Sequence, residues 1–345
     1  MTSPLKLANL WRVIREVDLQ GLRAAARTRF SLAVVSETGE DAARLRDLLS
    51  AATPGHTPHP WIEVASSSPP AIAALAGQPL AAVIVTRDPA LSVPLASAER
   101  RLAASASVLT VVVGDTSPAA RVVRGVERGR VAVAALDASS LTQIVTALLE
   151  LVSDDQQVAL ASQFPPMRPV VFARIIERTA RANASFALTT GLAESIPLLT
   201  APLNLGDIVV LTKNQLMMCY RIALAAGRDE EPRKMMTEIL GVLGGGVLFR
   251  QIARQLVGLI PIAGILPKVA IAYAGTAAIG RAMAAWTTEG RQITVEAVNH
   301  YSREALDKGR QLASHMVAEA SARPDRATRR LERLRRWLPR KTSND

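Results

Sequence analysis

Between residues 30 and 152, short apolar runs alternate with segments whose apolar positions recur every three or four residues. The runs at 30–35, 61–65, 81–86, 108–113 and 131–136 predict strands, and the stretches 41–51, 70–76, 96–106, 118–128 and 139–151 predict the helices between them. This alternation predicts an α/β domain, a parallel sheet wrapped by helices in the general layout of P-loop GTPases. Ligands in such sheets bind outside the carboxyl ends of the strands. Those ends fall at residues 36–40, 87–89, 114–117 and 137–140.

The pattern differs on either side of this region. Over residues 4–29, Leu7, Leu10, Trp11, Ile14 and Val17 form one stripe, with Arg12, Arg15 and Arg23 on other faces. That predicts an amphipathic helix, packed on the following domain or lying on a membrane surface. A proline-rich joint at 164–169 closes the α/β domain. Beyond it, helices are expected at 170–193, 207–226, 235–260, 266–286 and, with a more polar pattern, 287–322. Pro197, Pro202, Pro261 and Pro267 break this all-α region. The expected organisation is an N-terminal helix (1–29), an α/β domain (30–163), an apolar helical domain (170–322) and a basic tail (323–345).

Composition sharpens three points. Hydrophobic residues are 49% of the 345 and aromatics only 3%, so the apolar mass is Ala, Leu, Val and Ile, suited to closely packed helices or to lipid. The net charge of +11 is concentrated between residues 323 and 341, where nine Arg or Lys face only Asp325 and Glu332. The single cysteine, Cys219, excludes an intrachain disulfide and a thiolate metal cluster. The charged residues interleaved through 6–15 leave no room for a signal-peptide core, which places the N-terminal part in the cytoplasm.

The loop after the first strand reads Ser36-Glu37-Thr38-Gly39-Glu40-Asp41-Ala42. A phosphate loop needs glycines, a lysine and a hydroxyl at this point, because backbone N–H groups cradle the phosphates while the lysine neutralises them. Here Glu40 and Asp41 bring carboxylates that repel a triphosphate. The third strand ends in Thr86-Arg87-Asp88-Pro89 with no Asp-x-x-Gly, and Gly114-Asp115-Thr116-Ser117 replaces a guanine-reading motif. A degenerate, pseudo-GTPase domain without cofactor or catalytic residue is the expectation. His56 and His59 have no further ligands nearby, so a solvated loop rather than a metal site is expected there.

In the helical region only Lys268 is charged between residues 255 and 280. A helix of that length would reach roughly 39 Å, enough for about 30 Å of hydrocarbon, although Pro261 and Pro267 oppose one straight span. Gly241-x-x-x-Gly245, Ala274-x-x-x-Ala278 and Gly280-x-x-x-Ala284 would let helices approach closely, in a membrane or in a soluble bundle, with Gly264 beside the proline breaks. Asn204 or Asp207 is a candidate N-cap for a helix starting near Ile208, and Gln215 a candidate partner for a carbonyl freed by a proline. In the tail, Leu331, Leu334 and Leu338 form a stripe flanked by Trp337, with Arg329, Arg330, Arg333 and Arg336 around it. That is the pattern of an interfacial anchor on anionic lipid; no base-reading motif accompanies the charge, so nucleic acid is not an expected partner.

The pairs and runs Ile196-Pro197, Asp207-Ile208, Asn214-Gln215, Ile222-Ala223, Gly245-Gly246, 260–264 and 276–280 resemble the YcjF-like domain of bacteria, often found behind Era-type GTPase domains. The resemblance covers about residues 172–290 and implies membrane association without supplying a catalytic residue. It makes the expected function a non-catalytic scaffold or adaptor on the cytoplasmic face of the inner membrane. The expected partners are an anionic bilayer and either an active GTPase relative or a second copy of the chain. The alternatives are a divergent GTP-binding protein and a soluble helical oligomer.

Overall fold

The computed structural model describes residues 18–50, 59–75, 79–114, 129–194, 204–242 and 265–322. Five strands form one sheet: β1 (Leu32–Ser36), β2 (Ile62–Ser66), β3 (Ala81–Thr86), β4 (Ser107–Val113) and β5 (Arg130–Val133). Every pairing is parallel, in the order β2-β1-β3-β4-β5, with Leu32 opposite both Ile62 and Ala81. β1 and β3 are buried along their whole length, which is why they read as unbroken apolar runs; β2, at an edge, is buried only at Ile62 and Ala65.

Helices precede and cover the sheet: α1 (Leu19–Arg27), α2 (Glu40–Ser50), α3 (Pro69–Ala73), α4 (Val93–Ala103), α5 (Ala138–Leu149) and α6 (Asp154–Gln163). Ala33, Val35, Ala82 and Ile84 pack against Leu95, Ala98 and Leu102 of α4 on one face. Val34, Val83 and Val111 pack on the other against Leu45 of α2 and Ile144 and Leu148 of α5. The sequence pattern misses α6. Its residues 157–161 are all buried, so no apolar stripe marks it, and what starts it is a capping box between Ser153 and Gln156.

The proline-rich joint is part of the core. Pro165–Met167 form one 3₁₀ turn leading into α7 (Arg168–Glu194), and Phe164 and Met167 are completely buried. Pro169 falls in the first turn of α7, where its missing N–H costs nothing. The Phe164 ring lies 6.4 Å from that of Phe30 and 4.7 Å from the imidazole of His59. Since Phe30 and His59 precede β1 and β2, the joint sits at the amino edge of the sheet. Ser107, the first residue of β4, donates to the Leu151 carbonyl at 3.0 Å on the same edge.

The helical region continues with α8 (Asn204–Ala225), α9 (Pro232–Val242), α10 (Ile265–Glu289) and α11 (Val295–Ala322). α8 begins at Asn204, four residues ahead of Ile208, so Asp207 is a residue of the helix rather than one that precedes it. α10 is the central helix, with twelve of its residues buried. Ile176 of α7 and Met218 of α8 both close on Gly280, and an added Cβ there would stand 2.6 and 3.0 Å from them. The close approach expected of the Ala274, Ala278 and Gly280 stripe is thus made within the chain. Pro267 is the third residue of α10 and does not interrupt it.

One apolar core runs from Leu32 and Val34 through Phe164 and Phe172 to Ala278 and Met283, joining sheet and bundle without a gap. No helix among the described residues is long and apolar enough to cross a membrane. Gly245, Pro261 and Gly264, the 118–128 helix and the tail residues Arg329, Arg330, Arg333, Arg336 and Trp337 lie outside the described residues, and Gly241 is near the end of α9.

Candidate functional site

The strand order reverses between β1 and β3, so the crevice of a doubly wound sheet lies outside the carboxyl ends of these two strands. Two loops form it, 37–39 after β1 and 87–92 after β3. Gly39 has φ +85°, with open space where a Cβ would stand, so its role is the left-handed turn into α2.

The backbone donors of this turn, which a phosphate would need, are already engaged. Ser36 Oγ accepts from the Gly39 N–H at 3.0 Å and from the Ala42 N–H at 3.2 Å, and Thr38 Oγ1 faces the Glu40 N–H at 3.4 Å. Ser36 is buried, so it acts as an internal plug. Across the crevice Arg87 grips Asp41 in a two-pronged ion pair, Nε to Oδ2 at 2.9 Å and Nη2 to Oδ1 at 2.8 Å. Hydrogen bonding to Asp41 holds the guanidinium pKa above its ordinary value. Asp41 therefore does not act as the bare repulsive charge that the sequence suggests. Its carboxylate is compensated, and the pair spans the space between the two loops.

The end of β5 is closed in a similar way. Asp137, after β5, accepts from Ser139 N at 2.9 Å and Ser140 N at 3.0 Å in a capping box that starts α5. The Ser139 hydroxyl and these N–H groups hold the Asp137 carboxyl below its usual pKa. Arg44 of α2 donates to the Leu136 carbonyl at 3.1 Å, tying this end to the first crevice.

Among the described residues no cluster of His, Cys, Asp or Glu is arranged to hold a metal ion. His59 is half-buried between Trp61 and Phe164 rather than solvated, and burial lowers its pKa. Cys219 is completely buried, which pushes its thiol up to about 12 and removes it as a nucleophile.

The bundle holds two polar groups that the sequence pattern does not single out. Asn183 of α7 and Thr276 of α10 are wholly buried. Thr276 Oγ1 receives hydrogen bonds from Asn183 Nδ2 at 2.9 Å and Gln215 Nε2 at 3.1 Å, and donates to the Ala272 carbonyl at 2.8 Å. Asn214 completes the set by donating to Asn183 Oδ1 at 2.8 Å. Gln215 thus bonds a hydroxyl on a neighbouring helix rather than a carbonyl freed by a proline. Nearer the surface, Glu177 accepts from Tyr273 at 2.6 Å, Lys308 at 2.8 Å and Arg181 at 2.5 Å. Burial raises the Glu177 pKa, but these donors outweigh it and leave the group below its usual value. An open groove of about 730 Å³ runs between α1, α6, α7 and α8, over Leu22, Thr179, Asn214 and Met217. Its charged rim is paired, Arg178 with Asp154 and Arg221 with Asp155.

Asn183 and Thr276 are residues that sequence reasoning missed, and at Arg87, inside a strand end it named, it missed the pairing with Asp41. The partners of Arg87 and Asn183 lie 46 and 93 positions away, and no local pattern encodes such a pairing.

Fold and site together define a doubly wound α/β domain whose described carboxyl ends, after β1, β3 and β5, are closed by its own side chains, fused at its amino edge to a helical bundle. No family model, curated protein or solved structure matches the chain.

Proposed function

We propose that this protein is a non-catalytic, membrane-associated adaptor whose α/β domain keeps the layout of a GTPase domain without its nucleotide site. The observation that carries this reading is the crevice between β1 and β3, where Ser36 takes the turn N–H groups and the Arg87–Asp41 pair bridges the loops. A triphosphate entering there would have to displace both sets of bonds and would meet no lysine in the loop. The crevice edge lies away from the bundle, so it is free to present a rigid surface to a partner: an active GTPase relative or a second copy of the chain. The membrane half of the reading draws on the basic tail, whose arginines are attracted to anionic lipid by about 1 kcal/mol each, and on the YcjF-like sequence resemblance. The corresponding location is the cytoplasmic face of the inner membrane.

Two measurements test the two halves separately. Equilibrium dialysis with magnesium and GTP should show no binding in the micromolar range. Micromolar binding that is lost on Gly39→Trp would overturn the adaptor reading in favour of a divergent GTPase. Flotation with phosphatidylglycerol-containing vesicles should carry the full-length chain upward, and a protein that stays at the bottom of the gradient refutes membrane association.

A further inference from the structure

α1 is attached to the molecule unevenly. Of its nine residues only Ala26 is buried. Its C-terminal end is pinned: Gln163 of α6 donates to the Thr28 carbonyl at 2.8 Å and accepts from the Phe30 N–H at 2.8 Å, and Phe30 is completely buried. Ahead of this pivot the polar ties are Ser162 to the Ala26 carbonyl, Tyr220 to the Leu19 carbonyl, and an arginine pair on Asp229.

Arg23 and Arg27, one turn apart, converge on that single carboxylate. Arg27 reaches both Asp229 oxygens, and Arg23 takes Oδ1 at 3.1 Å and the Asp229 carbonyl at 2.5 Å. The next acids of the loop are engaged elsewhere. Glu230 pairs with Arg228, and Glu231 accepts from the Lys234 N–H at 3.2 Å. Two guanidinium forks therefore share one negative charge, and Arg27 (55% exposed) and Asp229 (52%) are open to solvent. A hollow of about 320 Å³ lies beside the pair, lined by Gln20, Arg23, Arg27 and Thr28. An array of phosphate groups offers each fork an anion of its own, in the geometry that arginine matches best.

The same helix forms one wall of the 730 Å³ groove, through Asp18, Gly21 and Leu22, opposite Met217 and Met218 of α8. We infer that Arg23 and Arg27 form a latent phosphate site, occupied at rest by Asp229, and that a multivalent phosphate-bearing anion taking up the pair releases α1 about its Gln163 pivot and opens the groove. The device rests on the membrane reading above only where the anion is a lipid headgroup; soluble polyphosphate would act through the same two side chains. Phosphates held by the pair would face Asp229, Glu230 and Glu231 at close range, and like charges then drive α1 from the loop. An anion that binds the released form alone shifts the population by mass action, and a short helix with one buried residue belongs to the low-stability end of a fold.

Amide exchange of the full-length chain at constant ionic strength tests this. Inorganic polyphosphate, or vesicles containing phosphatidylglycerol, should speed exchange over residues 19–27 several-fold and leave β1 and α10 unchanged. Vesicles of phosphatidylcholine alone should do neither. Met217→Cys, in the groove, should react faster with a maleimide when α1 is released, since the native Cys219 is buried. Asp229→Asn removes the internal competitor and should bind polyphosphate several-fold more tightly in titration calorimetry, whereas Arg23→Gln with Arg27→Gln should exchange fast without any anion and respond to none. Unchanged exchange with both anions overturns the device, and so does an Asp229→Asn chain that binds polyphosphate no more tightly. Flotation with α1 still protected overturns it too but leaves the membrane reading standing. Release by polyphosphate in a chain that does not float upholds the device and removes the membrane reading.

Discussion

Thr276 uses the whole bonding capacity of its hydroxyl, two hydrogen bonds accepted and one donated, while completely buried in the bundle. Thr276→Val keeps the shape and strands the amides of Asn183 and Gln215. Leaving a buried donor unsatisfied costs about 1–3 kcal/mol, so the unfolding free energy from urea titration should fall by about that amount, as a lower midpoint with an unchanged slope. Gly280 sets two opposed effects against each other. Alanine improves helix propensity by about 1 kcal/mol, but its Cβ would stand 2.6 Å from Ile176 Cγ1. Isoleucine is stiff at χ1, so the backbones must part, and overpacking costs about 1–3 kcal/mol. The clash is expected to win, making Gly280→Ala less stable in thermal unfolding; a stabilised variant would show that α7 can yield. The small-residue stripe through Gly280 is plain in the sequence, whereas the role of Thr276 is not, because a lone threonine in an apolar helix looks the same facing lipid, core or solvent.

α1 is held by a clamp rather than by deep burial. Arg23 Nε lies 3.1 Å and Arg27 Nε 2.6 Å from Asp229 Oδ1 in the loop between α8 and α9, and Tyr220 donates to the Leu19 carbonyl at 3.2 Å. The hydrogen bond from Arg27, the strongest influence on Asp229, together with that from Arg23, holds its carboxyl below the ordinary aspartate value of 3.8. The clamp's contribution is complete above that ordinary value and is lost as pH falls through the lower folded value. The groups are exposed, so salt also weakens them. Asp229→Asn should therefore speed amide exchange in α1 at neutral pH, with little effect on β1 or α10, and added salt should do the same to the unmodified chain. The helix expected over 4–29 rested on a stripe from Leu7 to Val17 that lies outside the described residues; α1 occupies only the last part of that range, and its anchoring to a loop some two hundred residues later was invisible. The strands, read as apolar runs, were legible to within one or two residues, except that β5 ends at Val133 rather than at 136. α6 was hidden for the converse reason, since its buried run 157–161 passes all round the helix and leaves no period to detect.

The domain boundary expected at the proline-rich joint is, physically, a continuous core. Phe164, Met167, Val171 and Phe172 belong to the same apolar cluster as Leu32 and Ala278. Sheet and bundle should therefore unfold together. Trp61 reports on the first and Trp286, stacked 4.5 Å from the Arg228 guanidinium, on the second. In a background with Trp11 and Trp337 changed to Phe, the single-tryptophan variants retaining Trp61 or Trp286 should give superimposable urea curves; two separated midpoints would show that the joint uncouples them. Prolines read from sequence suggest a break, and only three-dimensional packing shows that these three end one element and begin the next without loosening the chain.

A consequence of this stiff joint concerns distance. α7 has 27 residues and so extends about 40 Å at roughly 1.5 Å per residue. It leaves from the amino edge of the sheet, while the crevice opens at the carboxyl edge. Without a hinge between them, α7 behaves as a fixed strut. Whatever surface holds the far end of the bundle, the closed crevice is carried at a set height above it, and only a partner reaching that height can meet it.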